Sequence, residues 1–223
     1  MTLTFDFYFS FRSPYSYLAT YKVQAMRMVW DVEVNLRPVL PIAVRLPGFF
    51  ETVNPLWPPY LAKDCKRLAE LSGYPYRWPR PDPIVQDRQT RKVAADQPFI
   101  HRLTRLGAAA AEGGRGFEYA AAVSYMIWGG TVDDWHLGDH LAGCARKAGL
   151  DGEALETTIA GDPARFDAII AANAETQTAA GHWGVPLFVF EGEPFFGQDR
   201  IDALMWRMTQ HGMELRAEPP TPA

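Results

Sequence analysis

Cysteine is scarce in this 223-residue chain: there are two, Cys65 and Cys144. They lie far apart and form no Cys-x-x-Cys, which leaves the sequence without a dithiol redox pair or a thiolate metal site. The five histidines do not gather either. His136 and His140 stand four apart, but no Glu or Cys completes a ligand set, so no metal is expected. Positive charge is not in excess: 22 Lys and Arg against 26 Asp and Glu give a net charge of −4. That excludes the basic surface a nucleic-acid binder needs. No apolar run is long enough to span a bilayer. Residues 1–6 lack the charged start and apolar stretch of an export signal. Free thiols in such a chain fit a reducing cytoplasm, the expected location. Both cysteines fall on apolar helical faces, where a buried packing role is expected.

Aromatic and apolar residues, by contrast, are plentiful, at 13% and 48%. They are densest in Phe5-Asp6-Phe7-Tyr8-Phe9-Ser10-Phe11-Arg12-Ser13-Pro14-Tyr15-Ser16-Tyr17-Leu18-Ala19. Bulky residues over 2–10 predict a buried strand, and the chain turns at Phe11-Arg12. Ser13-Pro14 then opens a helix, with Ser as the cap and Pro at the first position, where it has no N–H to lose. Tyr15, Leu18, Ala19, Val23 and Met26 share one face of that helix, over 14–29. The hydroxyl of Ser13 therefore sits at a helix N-terminus, where free N–H groups and the macrodipole favour negative charge such as a thiolate.

Residues 31–39 alternate as a second strand, and the crossover helix makes the pair parallel. The stretch 41–59, with its Pro and Gly residues, predicts a long loop leaving the sheet. Helices follow over about 61–72, 97–113, 116–129, 136–149, 152–161 and 162–181, the last opened by Asp162-Pro163. Between the first two, the four prolines of 74–83 predict an extended wrap. The β pattern returns at 184–190, turns at 191–193 and comes back over 194–197. Gln198-Asp199 opens a final helix carrying Ile201, Leu204, Met205 and Met208 on one face. The order βαβ, helices, ββα predicts an α/β protein with a thioredoxin-like fold split by a large all-helical insertion. The thioredoxin-like domain is discontinuous, 1–45 with 182–217. The insertion covers 46–181, and 218–223 is a flexible tail.

Two motifs point to one family. Ser13-Pro14-Tyr15-Ser16-Tyr17-Leu18 after an aromatic strand, and Gly184-Val185-Pro186-Leu187-Phe188 followed by Phe196-Gly197-Gln198-Asp199-Arg200, resemble those of 2-hydroxychromene-2-carboxylate isomerases. Their cousins are the kappa-class glutathione transferases, on the DsbA-like version of the thioredoxin fold. The resemblance implies that Ser13 is the catalytic serine, standing where oxidoreductases of this fold hold a reactive cysteine. It implies glutathione as cofactor, a cis proline at Pro186, and pairing of the Val185 backbone with the cysteinyl part of glutathione. It assigns the γ-glutamyl group to Gln198 and Asp199, and places Asn54 near substrate and glutathione. A homodimer acting on a small aromatic substrate is implied in the same way. Arg12, beside the serine, is a candidate for the substrate carboxylate, with Tyr15 and Trp57 as further substrate contacts.

Simpler roles stand beside these. Ser13 and Asp199 are good helix caps without any ligand. Trp57, Trp78, Tyr60 and Tyr76 form either a cleft wall for a planar substrate or a seal between insertion and sheet. The resemblance also keeps a kappa-like glutathione transferase in view. Arg12 and a loop after Asn54 with no basic residue close behind it favour a further alternative, a glutathione-independent ligand-binding protein of the same fold.

Overall fold

The computed structural model describes residues 2–87 and 89–217; the tail at 218–223 lies outside them. The first strand, β1 (Leu3–Phe9), runs parallel to β2 (Val32–Pro38) across the helix α1 (Pro14–Val29). A hairpin of β3 (Leu187–Phe190) and β4 (Glu193–Phe196) joins the other edge of β1 antiparallel, giving the sheet order β2-β1-β3-β4. A last helix, α10 (Ile201–Gln210), follows the hairpin.

Strand alternation sorts the residues of β1 between two faces. Leu3, Phe5, Phe7 and Phe9 enter the main core. There Phe7 meets Phe188 at 4.8 Å between ring centres and Phe9 edge-on at 5.5 Å. Such pairs each add about 0.5–1.5 kcal/mol beyond area burial. Tyr8, on the opposite face, joins Leu187 and Val39 in a smaller buried cluster packed on Ala174. The central strand is thus covered on both sides, which accounts for its near-continuous apolar run.

Between β2 and β3 lie the helices α2 (Ile42–Arg45), α3 (Phe49–Thr52), α4 (Trp57–Ser72), α5 (Ile100–Glu112), α6 (Gly116–Trp128), α7 (His140–Lys147), α8 (Gly152–Gly161) and α9 (Pro163–Ala179), with a non-helical stretch between α4 and α5. Asp162 caps α9 by accepting from the N–H of Arg165 at 3.1 Å, as its position before Pro163 predicts. The stretch 41–59 differs from the predicted loop: it holds α2, α3 and the start of α4. Pro58 and Pro59 fall in the first turn of α4, where a missing N–H costs nothing. The final helix also begins later than predicted. The Arg200 N–H bonds back to the Gly197 carbonyl at 3.1 Å, so Gln198 and Asp199 are spent in a turn and the helix starts at Ile201.

One close approach fixes the base of the β1–α1 turn. A Cβ on Gly107 of α5 would lie 2.6 Å from the ring of Phe11, which is fully buried against Phe9 and Tyr119. Gly107→Ala is expected to destabilise the protein by about 1–3 kcal/mol through overpacking. An unhindered helix position would instead gain about 1 kcal/mol. The sign of the shift in the urea midpoint separates the two.

Candidate active site

Ser13 caps α1 with extended backbone (φ −93°, ψ 115°), and its Oγ accepts from the Ser16 N–H at 3.1 Å. Its hydroxyl hydrogen is donated to no described residue. Pro14 contributes no N–H, and the N–H of Tyr15 bonds to no described residue. The N-terminus of a 16-residue helix thus presents one O–H and one open N–H.

Ser13 and Tyr15 both line a cavity of about 490 Å³. Its walls come from segments far apart in sequence. Ser10, Arg12, Ser13, Pro14 and Tyr15 form the β1–α1 side. Ile42, Arg45, Phe49, Phe50 and Trp57 come from α2, α3 and α4. Trp183, Gly184 and Val185 precede β3, while Gln86, Asp87 and Arg91 close a further side. The aromatic rings form a continuous surface: Phe50 stacks on Trp57 at 5.9 Å, and Phe49 meets Trp57 at 6.1 Å and Trp183 at 5.7 Å. A flat, conjugated molecule fits such a wall.

The Val185–Pro186 peptide bond is cis, as is Arg80–Pro81, which carries no signal in the sequence. Neither backbone group of Val185 bonds to a described residue, although the next carbonyl, that of Pro186, accepts from Gly197 at 2.9 Å. His182 steadies the preceding turn. Its Nδ1 accepts from the Gly184 N–H at 2.8 Å, and its ring stacks on Phe196 at 3.8 Å. Burial lowers its pKa from the ordinary value of 6.5, favouring the neutral ring. Because the folded value lies below the unfolded one, the unfolded state binds more protons as pH falls through about 6.5 and stability is lost. His182→Asn keeps an acceptor for Gly184 but cannot titrate. The urea midpoint of the wild type is expected to fall more steeply than that of the variant between about pH 7 and pH 5. Parallel curves would contradict this.

Charges on the wall differ in how they are met. Arg12 donates through Nε to Asp82 Oδ1 at 3.2 Å and through Nη2 to Oδ2 at 3.1 Å, with its plane 5.1 Å from the Trp78 ring. Among the described residues, Arg45 donates only to neutral oxygens. Tyr15 donates to Asp64 at 2.7 Å, and burial with this bond pushes its pKa up, so it stays protonated. Cys65 and Cys144 are buried and off the cavity wall. Burial pushes their thiols up to about 12 and about 11, which makes them inert at neutral pH. Among the described residues, no three His, Cys, Asp or Glu side chains come together as a metal site. None of the described helices is long and apolar enough to cross a membrane.

Of the residues singled out in the sequence, Arg12, Ser13, Tyr15, Trp57 and Val185 line the cavity, and Pro186 lies buried directly behind Val185. Asn54 is exposed and off the wall, its Oδ1 accepting from the Leu56 N–H at 3.0 Å. Gln198 is buried, its carbonyl receiving Lys22 Nζ at 3.2 Å. Asp199 is exposed and pairs with Arg200 at 2.8 Å. Arg45, Phe49, Phe50 and the segment carrying Gln86 and Arg91 escaped the sequence reading. No local spacing marks them, because only the packing of the post-β2 segment against the approach to β3 brings them to the site.

A profile of the DSBA-like thioredoxin domain matches residues 4–208. The 2-hydroxychromene-2-carboxylate isomerase of Sphingobium xenophagum is 28% identical over 209 residues, 92% of this chain and 97% of that protein. A protein of the same name from Pseudomonas sp. (strain C18) is 26% identical over 205 residues, 88% of this chain and 85% of its own. Among solved structures, a 2-hydroxychromene-2-carboxylate isomerase superposes with a TM-score of 0.67 at 24% identity, covering 94% of this chain and 96% of its own.

Proposed function

This chain belongs to the family of DSBA-like thioredoxin domains, and from that premise we propose that it is a glutathione-dependent isomerase of the 2-hydroxychromene-2-carboxylate type. One observation carries the reading. Ser13, Tyr15 at the open end of α1, and Val185, whose backbone is unpaired among the described residues, line a single cavity walled by aromatic rings. The names of the two relatives supply the substrate type.

The residues present suit a peptide thiol. Val185 offers a free N–H and a free carbonyl side by side, the pair an extended peptide needs for strand-like pairing. Ser13 donates its O–H to the sulfur while keeping its cap bond to Ser16. The Tyr15 N–H and the α1 macrodipole add to the same negative charge. A free thiol with a pKa of about 8.5 is only a few per cent ionised at neutral pH. Lowering that value by roughly two units corresponds to about 2.7 kcal/mol of differential stabilisation. When bound, glutathione would supply a thiolate nucleophile that is regenerated over the cycle, so the reaction would involve no net oxidation.

Ser13 acts as donor rather than attacking group, because no base among the described residues bonds to its hydroxyl. The rings of Phe49, Phe50 and Trp57 hold the planar substrate and keep water from one face of it. Gln198, Asp199 and Asn54 lie off the cavity wall, so a part for the first two in holding the γ-glutamyl end, and for Asn54 beside it, requires the peptide to extend beyond the cavity. Arg12 contributes less to an anion than a free cation would, since Asp82 already meets its charge. The purified chain is expected to bind glutathione in a calorimetric titration. It is also expected to change the ultraviolet spectrum of 2-hydroxychromene-2-carboxylate only when glutathione is present. Conversion without glutathione, or none with it, contradicts the reading. Turnover of a simple electrophilic acceptor in place of the chromene would mark a kappa-like transferase.

A further inference from the structure

Three arginines, Arg12, Arg45 and Arg91, line the cavity, and they are not equivalent. Arg12 is engaged two-pronged by Asp82. Arg45 is held by three neutral acceptors: the Leu40 carbonyl at 2.8 Å, the Trp183 carbonyl at 2.8 Å and the Gln177 side-chain oxygen at 3.2 Å. No carboxylate among the described residues comes within ion-pair distance of it. Its pKa is lowered by burial, with no opposing charge offsetting the effect. Arg91 also has no ion-pair partner among the described residues. Its guanidinium, however, makes no hydrogen bond to any of them, and it sits in a turn that bonds back to Asp87.

A guanidinium has five N–H donors, and three of Arg45's are committed, so two remain. The three bonds fix the plane of the group, so binding an anion costs little further ordering. Its desolvation has already been met in the folded state, where an anion interacts with it more strongly than in open water. On this wall its neighbours are aromatic, although Arg45 also borders a second cavity, of about 960 Å³, with Leu40, Ile170 and Ala174. Trp183, whose carbonyl it holds, contacts Phe49, and Phe50 and Trp57 continue the surface. A fixed cation at the edge of a ring-lined wall matches a flat acid better than it matches a flexible peptide.

We propose that Arg45 is the carboxylate anchor of this cavity, selecting planar conjugated acids whose rings lie on Phe49, Phe50 and Trp57. This rests on the reading of the cavity as the substrate site of an isomerase.

The test is calorimetry on the full chain with two non-reacting probes, 2-naphthoate and its neutral amide 2-naphthamide, alongside a separate glutathione titration. The wild type is expected to prefer the acid by about tenfold or more, the scale of a charge-assisted hydrogen-bonded pair. Arg45→Gln is expected to abolish that preference while shifting the affinities for amide and glutathione by no more than about twofold, ordinary variation for a contact that is not made. Arg45→Lys, which keeps the charge but loses the fork, is expected to fall between. Should Arg45→Gln not fold, the lysine variant and the wild-type acid-to-amide ratio decide. Equal affinities of the wild type for acid and amide overturn the proposal. So does an unchanged ratio in the folded glutamine variant, or equal weakening of both probes, which would mark a purely structural arginine. Loss of glutathione affinity in place of acid affinity overturns it as well, as does transfer of the effect to Arg91→Gln. A wild type that binds no glutathione would sink the isomerase reading and leave the comparison of acid with amide standing.

Discussion

Replacing Ser13 by Ala is expected to lower kcat/KM for glutathione-dependent isomerisation by about 10²-fold, the lower end of what losing one preorganised donor to an anion costs. The lower end applies because the Tyr15 N–H and the α1 terminus remain in place. If the bound thiol loses a two-unit depression, its ionised fraction at pH 7 falls by roughly 25-fold. Part of that loss is recovered, since a less stabilised thiolate is the better nucleophile. It is also the poorer leaving group, which slows the step that frees the product. Poised geometry at the sulfur supplies the rest. Two controls follow from the same argument. The deficit should shrink above about pH 9, where the thiol ionises unaided. Ser13→Thr, which keeps a hydroxyl, should retain most of the activity. The cap bond to Ser16 is lost in the alanine variant too, at about 1 kcal/mol of stability. That is far too little to explain a hundredfold loss in a folded enzyme, so a melting curve beside the kinetics separates the two effects.

The largest loss of stability is expected at Trp128. Its ring is fully buried near the end of α6, stacked with Tyr76 at 6.0 Å and met edge-on by Trp78 at 5.0 Å. Its Nε1 donates to the Phe11 carbonyl at 2.9 Å, tying the helical segment to the turn that precedes Ser13. Trp128→Ala is expected to cost about 3–5 kcal/mol, a sizeable share of the total stability of a protein this size. The melting temperature should fall by about 10 °C. Trp128→Phe keeps most of the packing but orphans the Phe11 carbonyl, at about 1–3 kcal/mol. Urea unfolding of the two variants separates the packing contribution from that of the hydrogen bond. Equal losses would mean that the indole N–H carries the whole effect.

Features specified within a few residues were legible in advance. The aromatic strand, the Ser13-Pro14 helix start, the hairpin turn and the Asp162-Pro163 cap depend on local spacing and fixed φ, and each stands where the residues place it. Features that depend on a distant partner were not. Arg12 in a turn reads as a free cation until the chain returns 70 residues later with Asp82. Arg45 is one basic residue in a proline-rich stretch, and its importance comes from acceptors as far away as Gln177 and Trp183. The prolines of 41–59 read as loop because their tolerance in a first helical turn is invisible until a partner surface makes that turn helical. Asp199 reads as a cap for the same reason in reverse: a residue type suited to capping was drawn into a turn by Gly197. The aromatic wall was half legible. Trp57 stands out by its type, whereas Phe49 and Phe50 fall in a proline-containing stretch that reads as loop.

The most direct measurement is the ultraviolet titration of glutathione bound to the wild-type chain and to Ser13→Ala, following thiolate absorbance against pH. The sulfur should titrate near pH 6.5, about two units below the free thiol, when the Ser13 hydroxyl is present, and return most of the way to about 8.5 in the alanine variant. One titration midpoint common to both proteins, or a wild-type midpoint at the free-thiol value, would mean that Ser13 does not hold the sulfur anion.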